Sequence, residues 1–382
     1  MLCEALPPLS LYVHLPWCIR KCPYCDFNSY EARGALPTDS YVDALLRDLD
    51  CDLSLAAGRR VQSVFIGGGT PSLIPGASVR GLLAGIRERL LLAAQAEITL
   101  EANPGAVEAG RFAEFRDAGV TRLSIGAQSF RSPQLRALGR VHTAEDAIRA
   151  VETARRAGFE NINVDLMYAL PGDDVAGALD DLRGAIELAP AHISWYQLTL
   201  EPNTAFHRRP PVLPDEDAVL EIEGRGRALL DAHGYRRYEI SAYAQPGREC
   251  LHNLNYWQFG DYLGIGAGAH GKITQARERG IERRVKQRNP RTYVERAGDP
   301  FATAVERVEP GRQIIIEFLM NALRLPRGVS TESYEARTGH SLAAIEEPLR
   351  SAVARGWMEP RTDRLVPTAM GLELQNSLLA LF

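Results

Sequence analysis

The sequence predicts an α/β protein: a partial, TIM-like (β/α)6 barrel followed by a mainly helical, winged-helix-like C-terminal domain. Three observations carry this. Strand-like runs alternate with helical patterns through the first two hundred residues or so, as parallel βα units require. Most of these runs end in a chemically loaded turn, which suits a barrel with its site at the C-terminal strand ends better than a doubly wound sheet. After Gly234 the alternation breaks and turn-rich, then helical, patterns take over.

The six expected strands are Ser10–Leu15, Val61–Ile66, Glu97–Glu101, Thr121–Ile125, Asn161–Asp165 and His192–Thr199. Ser40 followed by Asp43 reads as a capping box for a helix through Leu45, Leu46 and Leu49. Helices are also expected over Ala144–Ala157, with Thr143 as N-cap and Gly158 past its end, and over Val175–Leu188 and Asp215–Ala232. Beyond them come a short strand, Tyr238–Tyr243, the motif His252-Asn253-Leu254-Asn255-Tyr256-Trp257 and the glycine-rich run Gly264–Gly271. A basic segment follows, with Arg277, Arg279, Arg283, Arg284, Lys286, Arg288 and Arg291. It reads either as a solvated loop or as an anion-binding element. Asp299-Pro300 marks a boundary, giving domains 1–235, 236–299 and 300–382. The last comprises a helix from Gly311 to Leu325, Ser330–Arg337, Ser341–Arg355, a hairpin-like Trp357–Val366 and a final helix capped by Thr368.

Composition excludes several classes. The chain has 382 residues, 45% hydrophobic and 24% charged, with a net charge of −4, which argues against nucleic acid or an acidic membrane as the main partner. No apolar run approaches the ~18 residues needed to span a bilayer. Glu4 and two prolines stand where a signal peptide would be basic, so a cytoplasmic location is expected.

Cys18-Ile19-Arg20-Lys21-Cys22-Pro23-Tyr24-Cys25 is the most informative segment, three thiols on a short loop leaving the first strand. A cubane iron–sulfur cluster takes four ligands, so three grouped cysteines leave one iron for a small molecule. A zinc knuckle would want a further Cys or His downstream, but the next cysteine, Cys51, falls in an expected helix. A redox pair of Cys22 and Cys25 leaves Cys18 unexplained. Six cysteines in this length are too sparse for a disulfide framework.

Other strand ends carry candidate ligand groups. Gly67-Gly68-Gly69-Thr70-Pro71-Ser72 closes the second strand, and its glycines allow close backbone approach to a ligand or simply a tight turn. Glu101-Ala102-Asn103-Pro104 ends the third, Gln128 follows the fourth with Arg140 and His142 after it, and Asp165 ends the fifth. Such groups could hold the ammonium, carboxylate and ribose hydroxyls of an aminoacyl nucleoside.

With Tyr12-Val13-His14-Leu15-Pro16-Trp17-Cys18, Gly67-Gly68-Gly69-Thr70-Pro71, Glu101-Ala102-Asn103-Pro104, Gln128-Ser129-Phe130 and Asp165-Leu166-Met167, the chain resembles the radical S-adenosylmethionine enzymes. It is most similar to the oxygen-independent coproporphyrinogen III oxidase family. The resemblance runs from about Leu9 into the C-terminal domain. It implies a 4Fe-4S cluster on Cys18, Cys22 and Cys25, its fourth iron chelated by S-adenosylmethionine. It also implies S-adenosylmethionine contacts from Tyr12, Tyr24, Gly68, Gly69, Thr70, Glu101, Gln128, Arg140 and Asp165; some members hold two such molecules. The oxidases carry a further Cys two residues past the third ligand and an N-terminal extension, whereas Phe27 stands here and the chain begins barely ten residues before the first strand. Cys25-Asp26-Phe27-Asn28-Ser29 and the His252 motif instead resemble the HemW subfamily of heme chaperones. That implies heme binding, with delivery to a heme-acceptor protein such as a respiratory cytochrome or reductase, and an electron donor for the cluster. The His252 imidazole reads either as an axial heme ligand, with Cys250 as a second, or as a buried hydrogen-bonded histidine. Contact with the membrane would then be peripheral, at the acceptor. The alternative is an oxidative decarboxylase of coproporphyrinogen propionates. A DNA-binding protein using the winged-helix-like tail is disfavoured by the acidic net charge.

Overall fold

A computed structural model describes residues 6–105, 110–275 and 280–382. Its framework is a twelve-stranded sheet with a parallel centre. We number the principal elements β1 (Leu9–Leu15), α1 (Thr38–Ala56), β2 (Val61–Gly68), α2 (Gly76–Arg89), β3 (Leu92–Ala102), α3 (Phe112–Ala118), β4 (Arg122–Gln128), α4 (Ala144–Arg156), β5 (Asn161–Tyr168), α5 (Val175–Glu187), β6 (His192–Gln197) and α6 (Glu216–Ala232). The six strands lie side by side in chain order, each parallel to the next. This is the expected partial barrel.

The segment after α6 extends both edges of that sheet. Ala242–Ala244 pairs antiparallel with β6, while β7 (Asp261–Ile265) pairs parallel with β1. From β7 the sheet continues antiparallel through β8 (His270–Gln275), β9 (Gly280–Val285) and β10 (Ala304–Val308). The boundary expected at Asp299-Pro300 therefore precedes a strand that still belongs to the large sheet. Arg277 and Arg279 lie outside the described residues.

Outward-facing positions of the parallel strands pack on the helices, so Val64, Leu100, Leu123, Ile125 and Val164 are fully buried with Leu45, Leu82 and Phe115. A second core joins Ile314, Phe318 and Leu319 of the helix Arg312–Ala322 to Phe259, Ile281 and Val308 of the preceding segment. Arg364–Leu365 pairs with Val329–Ser330, which gives the C-terminal helices a small wing.

Some expectations are corrected. Ser40 and Asp43 form no capping box, because α1 starts two residues earlier, after Pro37, and the Ser40 hydroxyl donates back to the Pro37 carbonyl at 3.1 Å. Thr143 does cap α4, in a full box with Asp146. The strand expected at Tyr238–Tyr243 is broken by a turn into Arg236–Arg237 and Ala242–Ala244. The basic segment is neither a free loop nor, for most of it, an anion site. Its middle forms β9, where Arg283 pairs with Glu317 of the helix Arg312–Ala322 and Arg284 with Asp52, and just past the strand Lys286 pairs with both Asp48 (2.6 Å) and Asp52 (2.7 Å). The buried pairs of Arg284 and Lys286 fasten this segment to α1. Among the described residues no helix is long and apolar enough to cross a membrane.

Candidate functional site

At the C-terminal ends of the parallel strands lies a cavity of about 360 Å³. It gathers Cys18, Cys22, Cys25, Tyr24, Gly68, Gly69, Thr70, Glu101, Gln128, Arg140 and Asp165 from four strands, the loops that follow them and the cysteine loop. Of the residues expected to line one ligand site, Tyr12 and His252 stay outside. Tyr12 donates to or accepts from His14 Nδ1 at 3.0 Å and packs against Phe65. His252, on the helix α7 (Leu251–Trp257), is held by Ser63 Oγ at 3.1 Å with its ring 5.1 Å from that of Phe65. Burial, then the Arg122 charge, pushes its pKa down to about 3. Cys250 is fully buried, with its Sγ against Glu97 Oε1 at 3.4 Å. Neither faces the cavity.

The cysteine loop is fixed at both ends. Trp17–Cys18 and Tyr30–Glu31 form a two-stranded parallel ladder across its base. Asn28 donates to the carbonyls of Ala267 (2.9 Å) and Arg288 (2.8 Å), and its own carbonyl bonds to His14 Nε2 at 2.9 Å. This explains part of the glycine-rich run. A Cβ on Gly268 would sit 2.4 Å from Asn28 Nδ2 at a φ of +79°, and one on Gly266 would sit 2.3 Å from the His14 carbonyl. Gly268→Ala is therefore expected to lower stability by roughly 1–3 kcal/mol. Urea unfolding measures this, and a wild-type midpoint would contradict it.

Similar crowding accounts for the turn after β2. A Cβ on Gly69 would lie 2.6 Å from the Trp17 carbonyl, and one on Gly68, at φ +117°, would meet the His14 ring. The turn accordingly closes on the cysteine loop: Gly69 N–H donates to Leu15 and Thr70 N–H to Trp17, both at 2.7 Å. Its glycines serve first the approach of the protein's own backbone, while Gly68 and Gly69 still border the cavity.

Arg140 organises the far wall. Its guanidinium donates to Asn103 Oδ1 (2.7 Å) and the Gly126 carbonyl (2.8 Å), lies 3.7 Å from Cys22 Sγ, and keeps Nε without a partner. Asn103 in turn donates to Thr70 Oγ1 at 3.0 Å. Gln128 adopts φ +67° and accepts from Tyr196 at 2.8 Å. His142 bonds to the Ala127 carbonyl and is a packing residue. Two carboxylates complete the site. Glu101 accepts from Gly68 N–H at 3.0 Å, and Asp165 from Asn163 at 2.7 Å and Ser124 at 3.1 Å. Burial, then the nearby Asp165 charge, raises Glu101 to about 8; burial also raises Asp165.

Arg122, Ser124, Asn163, Ser194 and Tyr196 also line the cavity and were not singled out in the sequence. A signal existed. Positions 122 and 124 on β4, 163 and 165 on β5, and 194 and 196 on β6 are polar at alternate places, and alternate strand residues share one face.

The donor set fits an iron–sulfur cube. Among the described residues no three His, Cys, Asp or Glu side chains converge on one point as ligands of a single ion would. Three thiols on the rim of one cavity suit three separate irons. Burial pushes the Cys18 thiol up to about 11, so its ionised form awaits a metal cation to stabilise it.

Comparison with known proteins agrees. Residues 12–183 match the radical SAM superfamily and residues 310–374 the HemN C-terminal domain. The chain is 51% identical to the heme chaperone HemW of Escherichia coli, over 99% of this chain and 98% of that protein. It is 46% identical to HemW of Haemophilus influenzae over 99% and 98%. HemW of Mycobacterium tuberculosis is 34% identical over 97% and 94%. The structure resembles that of the coproporphyrinogen III oxidase HemN of Escherichia coli, a radical SAM enzyme, with a TM-score of 0.82 at 25% identity, over 99% of this chain and 91% of that one. Superfamily membership brings with it a 4Fe-4S cluster and S-adenosylmethionine. The cysteine triad, the loaded strand ends and full-length similarity place this chain in the HemW family of the radical SAM superfamily.

Proposed function

We propose that this protein is a heme chaperone, which binds heme and a cluster liganded by S-adenosylmethionine and hands the heme to an acceptor protein such as a respiratory cytochrome or reductase. The observation that carries the reading is a complete cluster cavity combined with Phe27, 58% exposed, where the oxidases bear a cysteine. The relatives that match over nearly their whole length are named for that role.

When bound, the cluster supplies a one-electron reductant next to a sulfonium. The chain's own residues do the rest. Cys18, Cys22 and Cys25 would hold three irons. Arg140, on the cavity wall beside Cys22, would offer its guanidinium to the ligand carboxylate in a charge-assisted hydrogen bond. Glu101 and Asp165 offer acceptors to its ammonium and ribose hydroxyls, while Gly68, Gly69, Thr70, Tyr24 and Gln128 set the walls. In this reading residues 1–235 carry the cluster barrel, 236–299 extend its sheet at both edges, and 300–382 add one last sheet strand and the C-terminal helices.

The second reading, decarboxylation of coproporphyrinogen, is favoured by the resemblance to HemN. One comparison separates the two. Anaerobically reconstituted protein should bind hemin with a shifted Soret band and pass it to an apo-acceptor, while forming no protoporphyrinogen in the presence of coproporphyrinogen, S-adenosylmethionine and reductant. Robust oxidase turnover would reverse the assignment.

A further inference from the structure

On the outer side of the cysteine loop, away from the cluster cavity, a groove of about 1240 Å³ runs between that loop and the helix α8 (Pro290–Arg296). The cluster cavity, at about 360 Å³, has no room for a macrocycle besides its own ligands. The groove does. Its apolar part is Trp17 and Tyr30, paired across the ladder at the loop's base, with Pro37, Pro290 and Val294, and the rest of its lining is polar or charged, including Ser29, Ser40 and Asn289. Cations stand around it at Lys21, Arg33 and Arg291. Lys21 Nζ is tied to the carbonyls of Phe27 and Ser29, whereas Arg33 is exposed. Among the described residues Arg291, its side chain 90% exposed, pairs only with Glu295, an ion pair weak enough to exchange. The groove's two carboxylates are Glu295 and Glu31, the latter accepting from the Lys21 backbone N–H.

We infer that this groove is the heme site, holding the tetrapyrrole face between Trp17, Tyr30 and the Pro290–Val294 wall and its propionates on Arg33 and Arg291. The inference rests on the heme-chaperone reading and places its cargo. Aromatic faces and aliphatic rings suit a flat macrocycle, and guanidinium groups suit carboxylates. None of the lining residues is His, Cys or Met, so iron finds at most the Tyr30 phenol or a carboxylate there. Weak ligation suits a molecule that must be released. The position also ties cargo to cofactor, because Trp17 immediately precedes the cluster ligand Cys18, and both lie in the ladder with Tyr30 and Glu31.

The test uses full-length protein with its cluster reconstituted, titrated with hemin and with metal-free protoporphyrin. The double substitution Arg33→Glu with Arg291→Glu is expected to weaken hemin at least tenfold while iron content stays at the wild-type level. His252→Ala is expected to leave hemin affinity within twofold, and metal-free protoporphyrin is expected to bind wild type within about tenfold of hemin. Wild-type affinity in the double variant, or loss of binding in His252→Ala alone, would remove heme from the groove yet leave the chaperone reading standing. Failure of wild-type protein to bind hemin at all would bring down both.

Discussion

Alanine at Cys22 or Cys25 is expected to leave a folded protein that retains less than a tenth of the wild-type iron and sulfide after anaerobic reconstitution. Both side chains are partly exposed and contribute little to packing, so unfolding free energy should change by less than about 1 kcal/mol. Cys18 is buried, and its alanine variant should lose the same iron together with some stability. The loss is steep because a cube held at two corners exposes a second iron to solvent and thiols. Cys250→Ala and Cys51→Ala provide the controls. Neither residue reaches the cavity, and both variants should load iron fully. Metal analysis with visible absorbance decides the matter. Stoichiometric zinc in wild-type protein, or unchanged iron in Cys22→Ala, would defeat the cluster assignment.

Glu101 yields the second large effect, and its sign follows from burial. In the ligand-free fold the carboxyl titrates near 8, against 4.5 for the free side chain. Between those values the folded protein holds a proton that the unfolded chain has released. Stability from this group is thus intact below about pH 4.5 and is lost as pH rises toward 8, by about 2–5 kcal/mol in all. Glu101→Gln keeps an acceptor for Gly68 N–H but cannot ionise. The ligand-free variant should be more stable than wild type at pH 8 by a few kcal/mol and indistinguishable from it near pH 4.5. Above pH 8, where the carboxyl is ionised, its affinity for S-adenosylmethionine should fall tenfold or more, since a carboxylate is replaced by a neutral amide in a desolvated site. Parallel pH slopes of stability in the two proteins would refute the burial of an ionisable group here.

The fold itself was legible to the extent that it was periodic. Leu9–Leu15 stands out as a largely apolar run, Asn161–Tyr168 alternates polar and apolar residues, and α4 declares its start through Thr143 and Asp146. Legibility failed where tertiary contacts overrode local signals. Pro37 rather than Ser40 starts α1, and β9, full of arginines, reads as a solvated segment until Asp48 and Asp52 of α1 neutralise it. The inward-facing polar residues Arg122, Ser124, Asn163 and Ser194 were missed because each one alone looks like a strand polar residue facing water. Only the alignment of the parallel strands in one sheet turns that shared face into a cavity wall.

The sequence by itself determined which chemistry is available. Covalent spacing alone keeps three thiols on one short loop, and the glycines and carboxylates at successive strand ends needed only parallel register to share a rim. Which groups meet was decided by the tertiary structure. His252 and Cys250 lie far from Cys25 in the chain, and whether they face one ligand together depends on how α7 packs against Phe65. It turns His252 toward Ser63 and Cys250 toward Glu97. Likewise Trp17, Tyr30 and Arg291 share a groove only because β9 is paired into the sheet and carries α8 up against the cysteine loop. Local spacing is fixed by covalent geometry, but the proximity of distant segments is settled only by the burial and charge pairing of the whole fold.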